Sequence, residues 1–184
     1  MPFWDHQALL DEANEVNRIE GVVHRKNYTG PCFFHDEKNY PELLTLKQTF
    51  ESIYGEFGLV TAGYIFGYPG DQYDWHSDGN TERALRHKWE DNPTHEMWKR
   101  FSFHKFERGQ EVTAGFNIVL EGTDPVEFQK NQLKEVYNAA ILAVDEQHRV
   151  IVTQKRIVAV LQFRDATYDE VVQRVIRVDN DSLF

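Results

Sequence analysis

From residue 59 onward the chain is a succession of short β-branched and aromatic segments cut apart by turn signals, and this pattern constrains its fold more than any other feature. LVTAGYIFGY (59–68) ends at the turn pair Pro69-Gly70. VTAGFNIVLE (112–121), YNAAILAV (137–144), HRVIVT (148–153) and RIVAVLQFR (156–164) follow, and 171–178 reads as a last strand. The N-terminal part is written differently. Residues 5–20 predict a helix that Asp5 can cap and Gly21 can stop, with Leu9, Ala13, Val16 and Glu20 along one face. A second helix is expected over 41–54, with Pro41 in its first turn and Leu43, Leu46, Phe50 and Ile53 on one face. Helices followed by a run of short strands predict an α+β fold, with the helices packed on one antiparallel sheet.

The 184 residues suit one domain, divided into a helical part (1–58) and a β core (59–178). Residues 79–111 interrupt that core with a charged stretch in which Leu85, Trp89, Met97, Trp98, Phe101, Phe103 and Phe106 are interspersed. A loop of that length inside a compact domain is uncommon, and a functional lid is expected there, against the alternative of a partly helical insertion packed on the sheet. The net charge of −10 gives no counterion-release drive toward nucleic acid. Cys32 is the single cysteine, so no intramolecular disulfide is expected and a thiolate zinc site is disfavoured. The acidic start MPFWDHQALLDEA has neither a basic nor an apolar signal region, and no apolar run approaches a membrane span. A cytoplasmic location is expected.

The chemistry concentrates in DQYDWHSDGN (71–80). His76 and Asp78 are two apart, so in extended backbone an imidazole and a carboxylate share one face and can approach a single divalent ion. Seventy residues beyond Asp78, His148 opens a strand-like segment, and Arg156 begins the next one eight positions later. Two histidines and one carboxylate make up the facial ligand set of non-haem Fe(II) oxygenases, which leaves three coordination positions open for a chelating 2-oxo acid and dioxygen. Asn117 sits inside an apolar strand, and a buried amide needs partners. These are the co-substrate, the substrate or a neighbouring strand. Tyr68 and Trp75 flank the metal motif and are candidate substrate contacts, although aromatic residues on strands commonly belong to the core. His87, His95 and His104 lie in the charged stretch and suggest solvated side chains more than a second metal site.

The order His-x-Asp, apolar strand AGFNIVLEG (114–122), distal His and then Arg resembles the Fe(II)- and 2-oxoglutarate-dependent dioxygenases, whose core is a double-stranded β-helix, a cupin-like jelly roll. The ending QHRV…KRIVAVLQFRD, with His148, Arg156, strand 157–163 and Asp165, resembles the aspartyl/asparaginyl β-hydroxylase-like group. The resemblance covers about residues 59–165. It implies that His76, Asp78 and His148 bind Fe(II), and that Arg156 pairs with the distal carboxylate of 2-oxoglutarate. It implies a reaction in which O2 and 2-oxoglutarate yield succinate, carbon dioxide and a hydroxylated substrate. The eight-residue step from His148 to Arg156 is shorter than usual for that family and implies a tight hairpin. Arg149 should point to the opposite face of its strand from His148. The expected substrate is an Asp, Asn or Pro side chain, free or in a polypeptide. The alternatives are a cupin-like metal-binding module without oxygenase activity, a nucleobase hydroxylase disfavoured by the charge, and a structural protein in which His76 and Asp78 form only a turn.

Overall fold

The computed structural model describes residues 2–20, 24–25, 28–29, 32–34, 40–78, 112–130, 134–135, 137–163 and 166–181. The expected lid over 79–111, with its histidines, lies outside the described residues, as do Gly21 and Asp165. Among the described residues no helix is long and apolar enough to cross a membrane.

Helix α1 (His6–Glu20) is capped by Asp5, whose carboxylate accepts from the Ala8 amide at 3.0 Å. Short strands β1 (His24–Arg25), β2 (Tyr28–Thr29) and β3 (Cys32–Phe34) precede helix α2 (Pro41–Tyr54). The α2 N-terminus is capped from outside: Glu12 of α1 accepts from the amides of Glu42 and Leu43 at 2.8 and 3.1 Å and from the Tyr64 hydroxyl at 2.7 Å. The buried face of α2 is Leu43, Leu46, Phe50 and Tyr54, so the expected Ile53 is replaced by Tyr54 and stays half-exposed.

Eight further strands form the core: β4 (Leu59–Gly67), β5 (Gln72–His76), β6 (Ala114–Glu121), β7 (Val126–Phe128), β8 (Lys134–Glu135), β9 (Ala139–Leu142), β10 (His148–Ile151) and β11 (Arg156–Phe163). They are divided between two antiparallel sheets, with β7 and β8 paired in one of them. The larger has the order β3-β4-β11-β6-β9 and the smaller β5-β10-β7-β8. This winding, in which each successive strand except β8 crosses to the facing sheet, is a jelly roll. β10 and β11 therefore do not form the expected hairpin. Residues 152–155 carry the chain from the smaller sheet to the larger, where β11 pairs with β4 and β6.

Side-chain parity divides the larger sheet. Tyr64 and Phe66 of β4, Phe116, Ile118 and Leu120 of β6, and Ile157, Ala159, Leu161 and Phe163 of β11 face the helices, in one core with Leu9, Leu43, Leu46 and Phe50. The alternate residues face the smaller sheet, where Val126, Leu142, Val144, Val150 and Val152 form a second, smaller core.

The strand expected at 171–178 is instead part of helix α3 (Tyr168–Asp181), and the β core ends with β11. Val171 is buried and Val175 and Val178 pack beside it, a helical spacing, while Ile176 is 55% exposed. Local chemistry decides against a strand. In Thr167-x-x-Glu170 the Glu170 amide donates to the Thr167 hydroxyl, and the Glu170 carboxylate accepts from the Thr167 amide at 2.7 Å, a capping box. Those hydrogen bonds hold the Glu170 carboxyl below its ordinary range.

Gly122, just after β6, fixes where β11 begins. Its φ is +77°, and a Cβ there would collide with the Lys155 carbonyl beside Arg156. Gly122→Ala should therefore cost about 2 kcal/mol of stability, from left-handed backbone plus displacement of the strand start. Urea unfolding of the two proteins measures it, and an unchanged midpoint would contradict the constraint.

Candidate metal centre

Strand pairing builds the centre. β10 lies between β5 and β7, and His148 is in register with His76 on one side and Phe128 on the other. The two imidazoles are brought to 4.4 Å between ring centres. Asp78 follows β5 by two residues and is anchored by its amide, which donates to the Val144 carbonyl at 2.7 Å. Its Oδ1 stands 3.5 Å from His76 Nε2 and 3.9 Å from His148 Nε2. The three residues form the one group of His, Cys, Asp and Glu able to share a metal ion among the described residues, with donor atoms within 4.8 Å of one another. Neighbouring donors on a metal with bonds near 2.1 Å sit about 3 Å apart, so the observed spacing is close to that of a ligand set.

The tautomers are set as a ligand set requires. His76 Nδ1 lies 2.6 Å from the Asp74 carbonyl, and His148 Nδ1 lies 2.8 Å from the Glu146 carbonyl. A carbonyl only accepts, so each Nδ1 carries a proton, and in the neutral ring Nε2, on the Asp78 side, is the atom with the lone pair. The outer atom of the carboxylate is held too: Gln162 of β11 reaches across from the larger sheet and donates to Asp78 Oδ2 at 3.1 Å. Burial pushes the His148 imidazole down from its ordinary value, which keeps it neutral and able to ligate. Burial also pushes the Asp78 carboxyl up, an effect that His148, His76 and Gln162 only partly offset.

Arg156, Val158, Val160 and Gln162 have the parity of the inner face of β11. Arg156 is buried and pairs with Asp124, which lies in the connection between β6 and β7 and is 2% exposed. Asn117 is buried on the inner face of β6, and its amide donates to Asp124 Oδ2 at 3.2 Å. The Tyr137 hydroxyl also donates to that oxygen. The candidate substrate residues lie elsewhere. Tyr68 packs against the helix-side core and accepts from Asn17 at 3.3 Å. Trp75 is 39% exposed, under the Arg149 guanidinium, which pairs with Glu127 at 2.6 Å on the face away from His148.

Sequence reasoning missed Gln162, Asp124 and Tyr137. Gln162 had a usable signal, being a polar residue in an apolar strand at the same parity as Arg156. Asp124 and Tyr137 had none, because what they touch depends on how the two sheets meet.

No protein-family model matches the sequence, and no curated protein matches it. Among solved structures, the chain is similar to a prolyl-4-hydroxylase from Pseudomonas putida, at 15% identity over 88% of this chain and 86% of that one, with a TM-score of 0.51. A viral collagen prolyl hydroxylase from Paramecium Bursaria Chlorella virus-1 aligns at 13% identity over 88% and 84%, with a TM-score of 0.46. An RmlC-like cupin protein from Desulfovibrio desulfuricans aligns at 10% identity over 79% and 91%, with a TM-score of 0.40. At these identities the likeness is one of fold. The chain is an α+β protein with a cupin-like jelly-roll core, and that core carries a His-Asp-His cluster suited to a metal ion.

Three expectations follow from the contacts. Gln162→Leu removes the donor that orients Asp78 and should weaken divalent-metal affinity by about tenfold, as loss of an outer hydrogen bond does at other metal sites. Competition against a chromophoric chelator reads this directly, and an unchanged affinity would deny Gln162 that role. Arg156→Met leaves the buried Asp124 without its cation and should cost about 3–5 kcal/mol in urea unfolding. Arg149→Met, at a partly exposed pair, should cost no more than about 1 kcal/mol.

Proposed function

We propose that the protein is an Fe(II)- and 2-oxoglutarate-dependent oxygenase that hydroxylates a C–H bond of an amino-acid or polypeptide side chain of the Asp, Asn or Pro type. The observation that carries this reading is the triad: two imidazole Nε2 atoms, both with Nδ1 proton-bearing, turned to one carboxylate oxygen. Two His and one carboxylate suit Fe(II) with open positions, whereas structural zinc sites close all four. The fold likeness to a Pseudomonas putida prolyl-4-hydroxylase supports the reaction class. The sequence resemblance to the aspartyl/asparaginyl β-hydroxylase-like group supports the choice of side chain.

The residues present fit both bound groups. For the metal, the donor set and its tautomers are those required. For an acid with a distal carboxylate, three donors on the inner face (Arg156, Asn117 and Tyr137) already converge on one carboxylate, that of Asp124. Bound iron with 2-oxoglutarate and O2 would supply oxidative decarboxylation and oxidation of an unactivated C–H bond. The chain's own part is positional. His76, Asp78 and His148 occupy one face of the ion, and Gln162 fixes the carboxylate. Val158 and Val160, between Gln162 and Arg156 on β11, give the intervening wall an apolar surface that excludes water.

The test is turnover with Fe(II), 2-oxoglutarate and ascorbate, following succinate and the gain of one oxygen atom by peptides containing Asp, Asn or Pro. His148→Ala should bind Fe(II) far more weakly and lose succinate formation by more than the about 10–100-fold that an outer-sphere loss costs. Metal binding without succinate, under every substrate tried, would leave a metal-binding jelly roll without oxygenase activity. Fe(II) affinity unaffected in a folded His148→Ala would remove the triad itself.

A further inference from the structure

The Asp124 cluster is built like a carboxylate receptor. Arg156 Nη1 meets Oδ1, while Asn117 Nδ2, at 3.2 Å, and the Tyr137 hydroxyl meet Oδ2. Asn117 and Tyr137 are themselves 3.2 Å apart, which closes the ring of donors. Arg156 and Asp124 are 3% and 2% exposed, so the charge pair is desolvated. The donors stand on or beside the sheet, but Asp124 itself stands on the connection between β6 and β7.

The position of the cluster is what gives it a functional sense. Asn117 is in register with Val160 of β11, one inward-facing step from Gln162, and Gln162 holds Asp78. The inner face of β11 therefore carries the Asp124 cluster at its Arg156 end and Gln162, with the triad, toward its other end, separated by the apolar Val158 and Val160. A buried ion pair is seldom more stabilising than apolar residues of the same volume, so stability alone gives little reason for one on the face that also carries the triad.

We propose that Asp124 is a resident carboxylate in the subsite for a ligand's distal carboxylate, so that a dicarboxylic 2-oxo acid binds at Arg156 only in exchange for it. The inference rests on the reading of this centre as one that takes a 2-oxo acid. If the ligand joins Asp124 on the same guanidinium, two carboxylates are crowded in a desolvated pocket and repel. If it displaces Asp124, an existing charge-assisted pair is lost as the new one forms. In both cases the distal carboxylate adds little to affinity. A 2-oxo acid of the same length with an uncharged tail incurs neither cost. Asp124 thus sets how strongly the protein distinguishes the dicarboxylic acid from a monocarboxylic one.

Isothermal titration of the full chain loaded with Mn(II) tests this without turnover, using 2-oxoglutarate and 2-oxopentanoate as ligands of equal carbon number. The wild type should prefer 2-oxoglutarate by less than about tenfold, below what an unopposed charge-assisted pair provides. Asp124→Asn keeps the side-chain shape and an acceptor for Asn117 and Tyr137 but frees the Arg156 charge, and should raise that preference by about tenfold or more. An unchanged or lower preference in Asp124→Asn, with both acids still binding, overturns this inference and leaves the 2-oxo-acid reading intact. Binding of neither acid to either protein, with Mn(II) bound, overturns both. If Asp124→Asn does not fold, the wild type decides alone: a preference for 2-oxoglutarate well above tenfold overturns the proposal.

Discussion

The register between β5 and β10 is the constraint on which the centre depends. Two of the three clustered residues are opposed across one antiparallel pair, His148 against His76, and side chains directly opposite on adjacent strands are held within contact. A slip of one residue would turn one imidazole to the outer face. The ladder is not regular there: between His148 and Val150 the partner on β5 moves from His76 to Tyr73, so β5 carries an extra residue around Asp74 and Trp75. Bulges of this kind re-aim side chains next to sites. Here the irregularity accompanies the turn of the Asp74 carbonyl to His76 Nδ1, which fixes the tautomer. Strand pairing and ligand chemistry are one feature seen twice.

Gln162 makes the cluster a property of the whole sandwich. It comes from the larger sheet, whose other face carries the helix-side core of Ile157, Ala159, Leu161 and Phe163. The helices thus act on the centre through β11. Packing of α1, and of Phe50 of α2 on Phe163, against odd-numbered residues of that strand holds the even-numbered ones at fixed depth between the sheets.

What was legible in the sequence follows from the range of the interactions. Strands β4, β6, β9, β10 and β11 were visible because their β-branched content is local, as were α1 and α2 from their apolar period. His76-x-Asp78 was visible because the two are close in sequence, although Asp78 lies past the end of β5 and is placed by its amide's hydrogen bond to the Val144 carbonyl. The C-terminal helix was misread because Val171, Val172, Val175, Ile176 and Val178 carry β-branched content, although the capping box at Thr167 and Glu170 was there to be read. The hairpin expected between His148 and Arg156 failed for a different reason: four residues can turn back within a sheet or step to the facing one, and only the pairing of β11 with β4 and β6 decides. Arg156 was singled out as a contact for a ligand carboxylate, but its partner within the chain was not legible, since Asp124 meets it only when the β6–β7 connection folds over the start of β11.

The buried Asp124 and the half-buried Asp78 meet their surroundings in opposite ways, and that contrast gives the interior a direction. Asp124 is balanced by a guanidinium within the chain. Asp78 is met by imidazoles and an amide, and burial outweighs them, so its carboxyl is pushed up. A divalent cation reverses that effect, because its charge stabilises the ionised carboxylate far more than neutral donors do. At the same time it draws on the lone pairs that the two Nδ1 hydrogen bonds have freed. The metal end would then carry net positive charge with open positions, while the Arg156 end stays neutral as long as Asp124 remains in place. On the proposed reading, an anionic ligand would be attracted first toward the triad, and its tail would meet a receptor already filled by the chain's own carboxylate.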